Sequence, residues 1–291
     1  MKKQNLCIMA VFCFLILGSC LHDTPSEYYV QLLLGGSGTI DVDWGDGTQT
    51  FTYKIPDNYL SINHWISGSA VSTVTITGDN IMYLEIVGSG LADLTIDLNA
   101  GISLESFNFR NDNNSRGRRL TSLDVGDCTA LKTLYCYGAG LTALGVNNCT
   151  ALETLYCYGT GLAFLDVSTC KALMSLYCYG SGLETLDVSS CTSLALLDCS
   201  RNKLSTLDLS DCTALIRLYC GANELTSLDV SACPDLTTLD CYGNKLDDSA
   251  LDALFWTLPE PISGIIYIYG NPGAVGCIKH NAEDKGWKII G

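Results

Sequence analysis

Apolar positions in the second half of the chain recur with a fixed period. Leu131, Leu152, Leu173, Leu194, Leu215 and Leu236 stand 21 residues apart, which marks a stack of repeats. Each copy has two halves: Leu-x-x-Leu-x-Cys (Leu131, Leu134, Cys136), then Leu-x-x-Leu-x-Val/Leu followed by Cys (Leu141, Leu144, Val146, Cys149). Side chains at alternate positions share one face of a strand, so each half predicts a short strand with an apolar inner edge. One coil cannot bury that edge alone, whereas stacked coils form a continuous core. The expected fold class is mainly β: a repeat solenoid, preceded by a small β-sandwich-like module and closed by a short α-containing C-terminal cap.

Upstream, the pattern begins in degenerate form at Ile81, with Leu84, Ile86, Leu91, Leu94, Ile96, Leu104, Phe107 and Phe109. Between Phe109 and Leu120 lies a polar run, Arg110 to Arg119, that stretches one coil to 27 residues. Its charges cannot be buried unpaired, so it must bulge from the stack as a solvated loop or as one that docks an anion or partner. Before the repeats, Tyr28 to Leu34 and Thr39 to Trp44 read as strands joined by a turn at Gly35 to Gly38. After them, with the array ending at Leu246, Asp247-Asp248-Ser249 offers N-cap groups. Leu251, Leu254, Phe255 and Leu258 then fall at helical spacing until Pro259 and Pro261 stop the helix. A strand over Ile265 to Tyr269, a turn at Asn271-Pro272-Gly273 and a final helix over His280 to Lys285 complete the cap.

The doubled leucine signature and the two cysteine columns resemble bacterial leucine-rich repeats of the internalin-like kind found in surface lipoproteins of Gram-negative gut commensals. The resemblance covers residues 81 to 291 and implies a leucine-rich repeat solenoid. The family's inward Asn is present as Asn202, Asn223 and Asn244, but Ala139, Thr160 and Ser181 replace it in three earlier copies. That substitution puts the turn geometry of those coils in question. Val42-Asp43-Trp44-Gly45-Asp46-Gly47-Thr48, with Asn63-His64-Trp65 and Val74-Thr75-Ile76-Thr77-Gly78 further on, resembles a PKD domain, a small β-sandwich of cell-surface proteins. The expected organisation is a leader over 1–19, a tether over 20–27, the PKD-like module over 28–79, the solenoid over 80–246 and the cap over 247–291.

The formal charge of -15 repels phosphate backbones and argues against a nucleic-acid partner. At the N-terminus, two lysines precede an apolar run from Leu6 to Leu17, too short to cross a bilayer as a stable helix and suited to an export signal. Leu17-Gly18-Ser19-Cys20 looks like a lipobox. That resemblance implies cleavage before Cys20, a lipid anchor on its thiol, and an outer-membrane or cell-surface location, since Leu21 rather than Asp follows.

Of 16 cysteines, one column runs through Cys128, Cys149, Cys170, Cys191, Cys212 and Cys233, and another through Cys136, Cys157, Cys178, Cys199, Cys220 and Cys241. In-register side chains point the same way, so disulfide torsions are hard to make and buried thiols are favoured. A column supplies a line of ligands rather than a tetrahedron, so no structural zinc is expected. The positions flanking each inward Cys point outward. They carry Tyr135 and Tyr137, Tyr156 and Tyr158, Tyr177 and Tyr179, Asp198, Tyr219, then Asp240 and Tyr242, the candidate ligand-binding residues on the expected concave face. Such rings suit a protein or glycan ligand, or stabilise the sheet as a ladder. A further column, Asp124, Asp166, Asp187, Asp208 and Asp229, is expected to bond nearby hydroxyls and turn amides such as those of Ser168 and Ser189, with a calcium ladder as the sharper alternative. Asp41, Asp43 and Asp46 depart from calcium-loop spacing. His22, His64 and His280 lie far apart, no nucleophile elbow, phosphate loop or zincin motif occurs, and the Gly-x-Gly pairs recur with the coil as turn glycines. The expected function is therefore a non-enzymatic, surface-anchored binding protein acting in protein–protein interaction or adhesion, without cofactor or metal. The alternatives are a glycan-binding lipoprotein or a purely structural envelope component.

Overall fold

The structure is a computed structural model that describes residues 27–44, 47–56, 59–67, 73–78, 80–89, 95–98, 103–111, 121–126, 128–138, 140–260 and 263–291. The leader, Cys20, the tether up to residue 26, Gly45-Asp46, Leu91, Leu94, Ala139 and all but the first two residues of the arginine-rich insertion lie outside the described residues.

Eight strands lead into the regular coils: β1 (Glu27–Gly36), β2 (Gly38–Asp43), β3 (Phe51–Ile55), β4 (Tyr59–Ser67), β5 (Thr73–Gly78), β6 (Ile81–Ser89), β7 (Thr95–Leu98) and β8 (Ser106–Asn111). The coils contribute β9 (Ser122–Asp124), β10 (Thr133–Tyr135), β11 (Ala143–Gly145), β12 (Thr154–Tyr156), β13 (Ser175–Tyr177), β14 (Leu196–Asp198), β15 (Arg217–Tyr219) and β16 (Thr238–Asp240). Helix α1 (Asp248–Thr257), β17 (Gly264–Tyr267), α2 (His280–Glu283) and β18 (Trp287–Ile290) finish the chain.

One 12-stranded sheet runs the length of the protein in the order β18-β17-β16-β15-β14-β13-β12-β10-β8-β6-β1-β4. From β6 to β18 every neighbour is parallel and in register, so that Leu134, Leu155, Leu176, Leu197, Leu218 and Leu239 form one column. All six are fully buried; each such side chain stabilises the stack by roughly 1.5–3 kcal/mol. Opposite this sheet lies a second face, β3-β2-β5-β7 in the N-terminal region, with β7 packed beside the β9–β11 pair.

The N-terminal strands make a two-layered sandwich that shares a sheet with the coils. Leu32, Leu34, Leu84 and Ile86 on one layer and Ile40, Val42, Trp44, Val74 and Ile76 on the other are all buried. The Trp44 indole stacks on His64 at 4.3 Å. Because β1 pairs with β6 through seven registered positions, from Tyr29↔Ser89 to Gly35↔Tyr83, the sandwich closes the apolar end of the stack, as a solenoid requires.

The second half of each coil departs from expectation. Among the described residues of the regular coils, only β9 and β11 form strands there, followed by an isolated bridge between Asp166 and Asp187. Where the strands do pair, Asp124 faces Gly145, whose missing side chain leaves room for the carboxylate: a Cβ there would stand 2.5 Å from Asp124 Oδ1. Further on, carboxylate follows carboxylate. Each binds its own turn, Asp166, Asp187, Asp208 and Asp229 accepting the amides of Ser168, Ser189, Ser210 and Ser231. Such local bonds compete with a ladder, leaving single links between coils such as Lys203 N to Leu183 O.

The inward asparagines tie coil to coil, and the hydroxyls that replace them do part of the same work. Thr160 Oγ1 donates to the carbonyl of Cys157 within its own coil, and Ser181 Oγ donates to that same carbonyl from the next coil. Repeat geometry also continues past Leu246: β17 pairs in register with β16, and Asn271 donates to the carbonyls of Cys241 and Ile268 as the earlier asparagines do. Helix α1 is inserted into this coil. Asp247 caps it by accepting the Ala250 amide, and Leu251, Leu254 and Phe255 are buried. The residues after Asn271 form a 3-10 turn over Pro272–Ala274, α2 ends at Glu283, and β18, absent from the sequence reading, takes up Trp287–Ile290 as a short outer strand.

Candidate functional site: the aromatic face of the long sheet

Alternation along each short strand decides which residues face solvent. In β12, Leu155 points into the core between Thr154 and Tyr156, and the next residue inward is Cys157. The same alternation places Tyr135, Tyr156, Tyr177, Asp198, Tyr219 and Asp240 in one outward column of the long sheet. Tyr137, Tyr158, Tyr179 and Tyr242 lie two residues further along each coil, on the same face. All ten predicted residues are thus brought together on one surface, each half-buried.

The tyrosine rings stack face to face. Tyr135–Tyr156 and Tyr156–Tyr177 have centroids 4.7 and 4.4 Å apart, and Tyr137–Tyr158 and Tyr158–Tyr179 are 4.8 and 4.4 Å apart, with planes within 12°. This spacing is the inter-strand distance itself. Burial raises the phenol pKa of Tyr135, Tyr158 and Tyr177 above the ordinary value, and neighbouring phenols add to the effect. All three stay neutral at physiological pH.

Two residues extend these columns beyond the sequence reading. Tyr267 pairs with Asp240, and Tyr269 stacks on Tyr242 at 5.0 Å. The insertion of α1 makes the step from Asp240 to Tyr267 27 residues, so a 21-residue count passes over them. The Tyr-x-Tyr spacing around inward Ile268 was the available signal.

After Tyr177 the aromatic order breaks. Asp198 Oδ1 accepts the amide and hydroxyl of Ser200 at 3.2 and 2.7 Å, and Asp240 Oδ1 accepts the Tyr242 amide at 3.2 Å. Burial raises the pKa of Asp240; the Tyr242 amide opposes this and nearby Asp198 adds to it. Gly221 stands where the second column would carry a ring, and the Tyr242 ring leans over it, 2.2 Å from where a Cβ would lie.

Both cysteine columns are buried thiols, the Cys136 to Cys241 column lying between the flanking tyrosine positions. Burial pushes Cys157 up to about 12, so these groups pack as small apolar side chains and are poor nucleophiles. Sγ of Cys170, Cys191 and Cys212 each points at a carbonyl of the preceding coil, 3.8 Å away. On the opposite face, the Ser168 hydroxyl and amide hold Asp166 below the ordinary carboxylate range, and the Ser189 amide and hydroxyl do the same for Asp187. Among the described residues, no three carboxylate, thiol or imidazole groups gather closely enough to hold a metal ion. Among them, too, no helix is long and apolar enough to cross a membrane. His64 lies in the N-terminal sandwich and His280 in α2.

No protein-family model and no curated protein matches the sequence. Among solved structures, the chain is similar to the functional domain of InlJ from Listeria monocytogenes, described as including a cysteine ladder, at 29% identity over 65% of this chain and 44% of that one, TM-score 0.47. It is also similar to an internalin (inlF) from Listeria monocytogenes, at 16% identity over 69% and 67% of the two chains, TM-score 0.48. A TLR13–ssRNA13 complex matches at 16% identity over 72% and 44%, TM-score 0.43. The chain therefore spans less than half the length of the first and third of these proteins.

Proposed function

We propose that this chain is a non-enzymatic binding protein of the cell surface, anchored in the outer membrane by a lipid on Cys20, that engages a protein ligand in adhesion through the aromatic face of its long sheet. The observation that carries the reading is the double ladder of half-buried tyrosine rings, Tyr135 to Tyr177 and Tyr137 to Tyr179, held in register on a rigid sheet. Rings fixed in this way present amphipathic area at little entropic cost on binding. The PKD-like sandwich acts as the spacer between anchor and solenoid, and the reading assigns no catalytic residue, cofactor, metal or nucleic acid.

One observation favours a structural role instead: the rings cover each other's faces, so much of their area is already satisfied within the chain. The two readings separate in a binding assay against purified cell-surface proteins, run beside a glycan array, with the full chain and with Tyr156→Ala/Tyr177→Ala. Loss of a captured protein ligand in the variant supports the first reading. Unchanged binding removes the tyrosine face from it, and capture of glycans alone shifts the ligand class to carbohydrate.

A further inference from the structure

The first tyrosine column changes its rule after Tyr177. From Tyr135 to Tyr177 a ring occupies every coil, but Tyr177, Asp198, Tyr219, Asp240 and Tyr267 then alternate ring with carboxylate along one unbroken register. With one coil step setting rings 4.4–4.7 Å apart, two steps set Tyr177, Tyr219 and Tyr267 about 9 Å apart along the register. Subtracting one ring thickness of about 3.4 Å leaves an opening of about 5.6 Å, which admits one more flat group at the same 4.4–4.7 Å centre spacing that the ladder's own rings keep. Each opening has an aspartate at its floor. Among the described residues Tyr219 has no ring stacked on either face, and its phenol and the Asp198 carboxylate lie close enough to Tyr177 to act on it electrostatically.

Both floors are carboxylates with spare capacity. Oδ1 of Asp198 and of Asp240 takes the local donors, while Oδ2 of each accepts no hydrogen bond among the described residues. Arg217, exposed two residues before Tyr219, and Arg201, exposed at the turn after Ser200, make no ion pair with either among the described residues. The chain's own cations therefore form no ion pair with either floor among the described residues, while Arg201 stands near enough to Tyr269 to act on it electrostatically.

We propose that the gaps over Asp198 and Asp240 are slots for arginine side chains of a protein partner, each guanidinium replacing the missing ring in the tyrosine stack. This deepens the reading of the aromatic face as a protein-binding surface and rests on it. A guanidinium is flat, stacks on aromatic faces as a cation, and donates from its edge to a carboxylate. An ammonium lacks the plane, and a neutral sugar lacks the charge that a half-buried carboxylate gains from. The formal charge of -15 favours a basic partner at longer range.

The test is calorimetric titration of the full chain with three short peptides, identical except that two positions carry arginine, lysine or citrulline, the last being flat but uncharged. The arginine peptide binds, and the citrulline peptide binds at least about tenfold more weakly. The lysine peptide falls between them. Asp198→Asn/Asp240→Asn keeps Oδ1 for the local donors, and with an unchanged circular dichroism spectrum lowers arginine-peptide affinity about tenfold; Tyr219→Leu does the same. Equal affinity for arginine and citrulline, no effect of the double Asn variant, or no binding of the arginine peptide overturns the slots. A protein ligand lost with Tyr156→Ala/Tyr177→Ala but retained with Asp198→Asn/Asp240→Asn removes the slots and keeps the face. A ligand indifferent to both variants removes the face.

Discussion

Asn202 reaches across a coil boundary to the carbonyl of Cys178, 3.0 Å from its Nδ2, while Oδ1 accepts the amides of Ser181, Gly182 and Leu183 in that preceding coil. Asn223 repeats the arrangement, donating to Cys199 and Cys220 and accepting from Leu204, each at 3.0 Å. Its side chain is buried, so truncation strands the Leu204 amide away from water and leaves the carbonyls of Cys199 and Cys220 with one donor each, Asn202 and Asn244. Asn223→Ala is expected to cost about 2 kcal/mol, and Asn223→Ser less, since Ser181 shows that a hydroxyl there still reaches one carbonyl. Denaturant unfolding checks both.

The turn after each tyrosine pair needs a left-handed residue. Gly138, Gly159, Gly180, Gly243 and Gly270 supply it with φ between 60° and 75°, but Arg201 and Ala222 hold the same position at φ 55° and 53°. A Cβ in that region is strained by roughly 1–2 kcal/mol, partly offset by the greater chain entropy of glycine when unfolded. Ala222→Gly is therefore expected to stabilise by about 0.5–1 kcal/mol, and Gly243→Ala to destabilise by a similar amount. Its new methyl meets nothing closer than 3.6 Å, so the effect isolates the backbone term. A rise in Tm for the first and a fall for the second is the expected outcome.

Leucine and cysteine columns were legible because period 21 and in-strand alternation leave one register that buries Leu134 and Cys136 together. The Asp166–Ser168 pairing was legible for a local reason, an Asp two residues before a turn amide. The missing second-half strands were not, because the outcome depends on which residue stacks over each aspartate from the neighbouring coil. Tyr267, Tyr269 and Asn271 escaped through the inserted α1, which hides their phase. Strand β1 reads alike whether it pairs only within its own module or, as here, with β4 on one side and β6 of the long sheet on the other.

Tyr156 is stacked on both sides, by Tyr135 and Tyr177. Stacked pairs contribute about 0.5–1.5 kcal/mol each beyond area burial, so Tyr156→Ala is expected to cost about 2 kcal/mol and Tyr156→Phe less than about 0.5. A double-mutant cycle on Tyr156 and Tyr177 should give a coupling near 1 kcal/mol. Coupling near zero would mean the rings share a register without supporting each other, and would leave ligand contact as the reason for their alignment.

The thiol columns make stability depend on pH in the alkaline direction. Burial lifts Cys157, Cys191 and Cys212 from 9.0 to about 12, and Cys170 and Cys233 to about 11. Above pH 9 the unfolded chain releases protons that the folded chain keeps, so the folded state binds more and stability falls as pH rises. Below pH 9 both states hold the proton and the contribution is fully present. Each such thiol removes about 1.4 kcal/mol per pH unit in the window above 9, and several act together. Global unfolding is therefore expected between about pH 10 and 11, before Cys157, Cys191 and Cys212 titrate in the folded state. Near-ultraviolet circular dichroism against pH, followed by alkylation and mass measurement, checks this: cysteines stay unmodified at pH 8 and react together once the fold is lost. Stepwise alkylation of Cys157 in chains that remain folded would show that the columns open coil by coil, and the cooperative argument would fail.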